Sequence, residues 1–207
     1  MARIECFFDC SSPWTYLCVH NLPPLAEKYG ATITWRPILV GGVFNSVNPS
    51  VYAARENPVP AKAAYSLKIM QDWARVAGIN MNFPPSIFPV NSVKAMRACL
   101  WLEHRENNRP GDMLAFARLV FEAYFGQDKD ISSTDELAAI ASQLGIETDS
   151  LLAGISEQSI KNRLRENTDE LVARGGFGSP TLFVDDSDMY FGNDALPLVR
   201  ATLARKL

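Results

Sequence analysis

Hydrophobic and polar positions along this 207-residue chain divide it into three stretches. Arg3 to Phe8, with its apolar run Ile4 to Phe8, reads as a buried first strand that breaks at Asp9. Pro13 to Tyr29 then follows helical spacing and stops at Gly30, a residue suited to a helix end. Pro23-Pro24 inside this helix should kink or split it, because proline lacks the helix donor and crowds the preceding turn. Thr32 to Leu39 alternates, with Ile33, Trp35 and Ile38, and reads as a second strand. A crossover this short makes the two strands parallel neighbours. Val40 to Pro60, with Gly41-Gly42, Asn48-Pro49 and Asn57-Pro58, reads as a long loop of the kind that often carries function.

The middle stretch is nearly all helix. Pro60 to Ala77 places Ala63, Leu67, Met70, Trp73, Ala74 and Ala77 near one face, and Gly78 ends it. Asn82 to Pro89 is an apolar, proline-stiffened loop. Helices are expected over Ser92–Glu106, Asp112–Phe125, Thr134–Leu144, Ser150–Ile155 and Glu157–Arg174, with Ser133 and Glu136 forming a capping box. Strand character returns at Thr181–Asp185 and Met189–Phe191, and Asn193-Asp194 should cap a last helix running to the chain end. The order βαβ, helical block, ββα predicts an α/β, thioredoxin-like fold with an inserted all-helical domain. On this reading residues 1–60 and 175–207 form the thioredoxin-like domain, and 61–174 the insertion.

Composition narrows the function. A net charge of −3 and a pI near 5.4 argue against nucleic acid as a partner. No apolar run approaches the length of a membrane span. Arg3, Glu5 and Asp9 interrupt any secretory leader, so a cytoplasmic protein is expected. Cys6, Cys10, Cys18 and Cys99 form no C-x-x-C pair and read as buried small apolar residues. His20 and His104 lie far from each other, so no metal site is expected.

Three short segments carry candidate chemistry. Ser12 precedes a helix with Pro13 in its first turn. It can serve as a plain N-cap, or its hydroxyl and the free N–H groups beside it can face an anion or a thiolate. Ser12 also lies where the first strand meets the first helix, the edge at which open α/β sheets bind ligands. In Gly178-Ser179-Pro180, Ser179-Pro180 is a candidate cis peptide before a strand. It is either a simple turn or a place where Ser179 leaves its N–H and C=O free for an extended peptide. Gly192-Asn193-Asp194 is either an ordinary cap or a seat for an amino-acid head group.

These residues carry a resemblance. Ser12-Pro13-Trp14-Thr15 stands where thioredoxin-like proteins have their redox C-x-x-C. Phe8-Asp9-x-x-Ser12-Pro13-x-x-Tyr16-Leu17 resembles the start of the DsbA-like 2-hydroxychromene-2-carboxylate isomerases and the kappa-class glutathione transferases. The likeness continues, in order, through Trp35-Arg36-Pro37, Val59-Pro60-Ala61-Lys62, Asn91-Ser92 with Ala95-Met96-Arg97-Ala98, Gly176 to Thr181, and Phe191-Gly192-Asn193-Asp194.

The resemblance implies a glutathione site, with Ser12 favouring the thiolate and Ser179 beside Pro180 pairing with the cysteinyl backbone. Asn193 and Asp194 match residues that hold the γ-glutamyl group, and Lys62 matches a lysine that contacts the tripeptide. The family also has a loop asparagine, for which Asn45, Asn48 and Asn57 all stand open. Trp14, Phe44, Phe88 and Pro89 could wall an aromatic substrate pocket or belong to the core. The implied activity is glutathione-dependent isomerisation of an aromatic catabolite, in a homodimer. A glutathione transferase is the first alternative, and a non-catalytic glutathione- or peptide-binding module the second. Ser12 and Thr15 cannot cycle through a disulfide, which argues against a disulfide oxidoreductase. An Arg or Lys should bind the substrate carboxylate, and the sequence leaves its identity open.

Overall fold

The computed structural model describes residues 1–106 and 108–206. Strands β1 (Arg3–Phe8), β2 (Thr32–Pro37), β3 (Thr181–Val184) and β4 (Asp188–Phe191) form one sheet in the order β2-β1-β3-β4. β1 runs parallel to β2, as the short crossover requires, and antiparallel to β3, which is antiparallel to β4. The two central strands come from opposite ends of the chain. Both are apolar on two faces, as strands covered by helices on each side must be.

Alternation along β1 and β3 builds two cores. Ile4, Cys6 and Phe8 join Leu182 and Val184 in the larger one. Phe7 and Phe183 turn the other way, into a smaller cluster with Ile38, Val43 and Leu171. The crossover helix α1 (Pro13–Lys28) contributes Tyr16, Cys18, Val19 and Leu22 to the larger core. All four cysteines are free and buried there, as their apolar settings suggest.

The segment expected as a loop, Val40 to Pro60, is instead two short helices, α2 (Val40–Val47) and α3 (Ser50–Glu56). Gly41 and Gly42 are tolerated because tertiary contacts set this backbone. Val40 and Val43 are buried, the Leu39 N–H reaches Thr168 Oγ1 at 3.0 Å, and the Val40 N–H reaches a carboxylate described below. α3, by contrast, buries none of its residues. α4 (Pro60–Ala77) buries only Met70 and Ala74 of its expected apolar face.

From α5 (Val93–His104) onward the helices of the middle stretch follow the expected order. α6 (Asp112–Phe121) ends early, in a π-helical turn over Glu122–Gly126 rather than running to Phe125. The Asn80 and Asn82 amides both donate to the Gly126 carbonyl, holding this turn open. α7 (Thr134–Gln143) is capped by Ser133, whose Oγ accepts the Glu136 N–H. The return half of the capping box is missing, because Glu136 pairs with Lys129. α8 (Thr148–Gly154) is capped by Glu147. α9 (Gln158–Ala173) lies against the sheet, where Leu171 meets Phe7 and Phe183. α1 runs unbroken across Pro23-Pro24, so the expected split is absent; packing of Leu22 and Ala26 on both sides of the pair outweighs the lost donors.

The chain ends in a single 3₁₀ turn, Asn193–Ala195, followed by α10 (Leu196–Ala204). Asn193 and Asp194 are therefore not side-chain caps of α10. That helix stops short of Leu207, which lies outside the described residues.

Candidate functional site

The carboxyl end of β1, the start of α1 and the start of β3 meet around Asp9, Ser12 and Ser179. Asp9 directly follows β1 and is almost fully buried. Its Oδ1 accepts the Ser11 N–H at 2.8 Å and the Ser11 hydroxyl at 2.9 Å. Its Oδ2 accepts the Val40 N–H at 2.8 Å. One carboxylate thus fixes the turn into α1 and caps α2. Burial pushes the Asp9 carboxyl above the usual range, against the Ser11 and Val40 N–H groups and the Ser92 and Ser11 hydroxyls, which favour its charge.

Ser12 is the N-cap of α1, with Pro13 in the first turn. Its Oγ accepts the Thr15 N–H at 3.2 Å. The same hydroxyl donates to the Ser179 carbonyl at 2.8 Å. The Ser179 Oγ accepts the Asp9 N–H at 2.9 Å and lies 2.8 Å from Thr15 Oγ1. Ser12, Thr15 and Ser179, all buried, therefore interlock the helix start with the strand start. Ser179-Pro180 is cis, as its sequence context suggests. The Pro180 carbonyl accepts the Gly192 N–H at 3.0 Å.

One expectation needs correction. Ser179 does not leave both backbone groups free, because its carbonyl takes the Ser12 hydroxyl. The reason is proximity across the fold, which places the N-cap of α1 directly against the entry to β3. Among the described residues the Ser179 N–H and the Trp14 N–H have no hydrogen-bond acceptor. Both are backbone donors this corner offers to a ligand, and the Trp14 N–H lies at a helix start that favours negative charge.

Other candidates separate. Asn193 is 1% exposed, and its Oδ1 accepts from Asn21 Nδ2 at 2.9 Å. Its own Nδ2 is buried without a partner. Asp194 is exposed and its carboxylate folds over Gly192, whose φ of +88° demands glycine. Lys62, in the first turn of α4, is exposed. Of the three open asparagines, Asn48 reaches the site's edge: its Nδ2 donates to the Phe177 carbonyl at 3.2 Å, while Asn45 and Asn57 are exposed.

The aromatic set is partly assembled. Gly178 lies under two rings: a Cβ there would stand 2.7 Å from the Phe191 ring and 3.8 Å from Phe44. Phe44 and Phe88 are half-buried, and the Arg55 guanidinium lies 5.7 Å and 5.3 Å from their ring centroids. Trp14 is half-buried and Pro89 exposed, and neither joins this ring cluster. Sequence reading passed over Arg55 by leaving it in a loop. It also passed over the structural part of Asp9, for which Asp9-x-Ser11, an Asx-turn pattern, was the available signal. A separate cavity of about 670 Å³, lined in part by Trp101, His104 and Arg163, shares no residue with this corner.

Known proteins resemble this one along nearly the whole chain. A 2-hydroxychromene-2-carboxylate isomerase from Pseudomonas putida is 28% identical, over 98% of this chain and 94% of that protein. Glutathione S-transferase kappa 1 of Rattus norvegicus is 26% identical, over 98% of this chain and 91% of that one. Among solved structures, a 2-hydroxychromene-2-carboxylate isomerase superposes with a TM-score of 0.80 at 25% identity, covering 98% of this chain and 95% of the other. A probable DsbA oxidoreductase from Streptomyces coelicolor, at 14% identity, shares the fold with a TM-score of 0.79, over 99% of this chain and 89% of that one. Residues 3–204 match the DSBA-like thioredoxin domain, and the chain belongs to that family.

Proposed function

We propose that this protein is a glutathione-dependent isomerase acting on 2-hydroxychromene-2-carboxylate or a closely related aromatic acid. The observation that carries the reading is the Ser12 hydroxyl, held at the N-terminus of α1 and beside the unpaired N–H of Ser179. The names of several relatives agree with it. The donor set fits glutathione: hydroxyl and N–H groups for a thiolate and a peptide backbone, and an exposed carboxylate, Asp194, for an ammonium. Bound glutathione would supply a sulfur nucleophile that adds reversibly to the unsaturated acid and allows rotation about the former double bond.

The chain's own residues set the conditions for that chemistry. The Ser12 hydroxyl and the α1 helix start stabilise negative charge on sulfur, lowering a thiol pKa that is near 8.5 in water. Ser179 offers its N–H to the cysteinyl unit of the tripeptide. Asp194 takes the γ-glutamyl ammonium, while the backbone at Asn193 offers N–H groups to the γ-glutamyl carboxylate. Lys62 supplies a cation for the remaining carboxylate. Residues 61–174 would act as an inserted helical domain that covers this site, and a homodimer is the proposed assembly.

The test has two parts. Conversion of the chromene carboxylate to its open-chain isomer is followed by absorbance with and without glutathione, and thiolate absorbance of bound glutathione is titrated against pH. Turnover only with glutathione, and a thiol titrating well below its value in water, support the isomerase. Stable conjugates with simple electrophiles and no isomerisation would favour a transferase, in keeping with the kappa-class relatives. Binding without a shifted thiol would leave a binding module.

A further inference from the structure

We propose that Arg55, seated on the Phe44 and Phe88 rings, is the residue that binds the carboxylate of the aromatic substrate. The inference rests on the isomerase reading for the identity of the acid, but not for the presence of a carboxylate site.

Three observations lead to it. The first is that Arg55 is a cation without a counterion. Arg3, Arg36, Arg75, Arg105, Arg109 and Arg174 form ion pairs, whereas among the described residues Arg55 is one of several arginines with no carboxylate within ion-pair distance, and what sets it apart is its aromatic seat. The second is its seat on two rings, 5.7 Å from the Phe44 centroid and 5.3 Å from that of Phe88. A guanidinium over aromatic faces is held by the ring quadrupoles while its in-plane N–H groups remain available, and those suit a bidentate carboxylate. The third is the path to the serine. The Phe44 ring lies against Gly178, and the next residue, Ser179, receives the Ser12 hydroxyl. Asn48 ties the end of α2 to the Phe177 carbonyl, fixing this edge of the aromatic set to the Ser12 corner.

The chemistry of the acid matches this setting. An aromatic 2-oxo acid offers a flat ring and a carboxylate at opposite ends. Phe44 and Phe88 provide ring faces, and Arg55 provides the charge. α3 buries nothing, so the guanidinium is reachable from solvent and its replacement removes no core contact. Arg97, another arginine without an ion pair, lines a cavity of about 310 Å³ with Lys161 and Arg165. No aromatic side chain lines that cavity, so it does not fit this ligand.

The experiment uses benzylidenepyruvate, an aromatic 2-oxo acid lacking the ring hydroxyl needed for closure, and its neutral carboxamide. Affinities for both are measured by calorimetry on the wild-type protein, Arg55→Met and Arg55→Lys. The expected result is a loss of about tenfold or more in affinity for the acid in Arg55→Met, with the carboxamide changed less than twofold. Arg55→Lys should fall between, keeping the charge but not the fork. Equal losses for acid and carboxamide, an unchanged acid affinity, or no acid binding by the wild-type protein would overturn the assignment. Turnover of the chromene carboxylate is scored separately. Absence of wild-type turnover with the Arg55 discrimination intact defeats the isomerase reading and leaves the carboxylate site. Wild-type turnover with an unchanged KM in Arg55→Met does the reverse.

Discussion

The Ser12 hydroxyl donates to the Ser179 carbonyl across 2.8 Å, joining residues 167 positions apart. A serine hydroxyl has one proton. To donate to a sulfur it must leave that carbonyl, so activating a thiol at Ser12 and freeing the Ser179 carbonyl for a peptide partner are one event. On the proposed function, this coupling would let an ordinary N-cap double as the donor to the sulfur.

Ser12→Ala should therefore show two separable effects. Turnover should fall by about 10² or more, as for other lost anion-stabilising donors. Stability should fall by about 1 kcal/mol from the missing cap. Steady-state kinetics and urea unfolding read the two independently, and an unchanged kcat would reduce Ser12 to a cap.

Ser179→Ala removes the acceptor of the buried Asp9 N–H and the partner of Thr15 Oγ1. An unpaired buried donor costs about 1–3 kcal/mol, so the unfolding midpoint should drop clearly. Thr15→Val should cost less, because the Thr15 N–H keeps its bond to Ser12. The double variant should be milder than the sum, since both substitutions break the same contact. Strict additivity in chemical unfolding would show that the Thr15–Ser179 contact contributes nothing.

Asp9 gives a pH dependence with a definite sign. Burial raises its carboxyl in the folded protein, so between the unfolded and folded values the native state holds a proton the unfolded chain has released. Its contribution is fully present below the ordinary carboxylate range near pH 4 and declines as pH rises through the raised value. The stability of wild type relative to Asp9→Asn should thus decrease from about pH 4 upward. A relative stability that rises with pH would mean that the Ser11 and Val40 N–H groups outweigh burial.

The sequence made the sheet legible because β1 and β3 are short, nearly continuous apolar runs bounded by turn residues. Ile4, Cys6 and Phe8 face one core, and Phe7 with Phe183 the other. The cis peptide at Pro180 and the cap at Ser12 were also legible, since each depends on neighbours in the chain. What was hidden depends on distant contacts. Val40 to Glu56 reads as loop by its glycines and prolines, yet the Asp9 carboxylate and Thr168 Oγ1 supply the donors' partners that start α2. Arg55 gained meaning only when that segment folded against Phe88. The Ser12–Ser179 bond was invisible for the same reason, although both residues stood out singly.

Asn193 and Asp194 are neighbours that should behave oppositely. Asn193 is buried and hydrogen-bonded to Asn21 on α1, so Asn193→Ala leaves the Asn21 amide unpaired at a helix contact. It should lower thermal stability by an amount typical of a lost buried hydrogen bond, about 1–3 kcal/mol. Asp194 is exposed beside Gly192, and the proposed function gives it a charge-assisted bond to the γ-glutamyl ammonium. Asp194→Ala should leave the unfolding midpoint nearly unchanged and raise the glutathione Kd by about tenfold. Differential scanning calorimetry and isothermal titration on the two variants decide the matter. If Asp194→Ala binds glutathione as the wild type does, the head group sits elsewhere, and the next carboxylate to test must lie within reach of the Ser179 N–H.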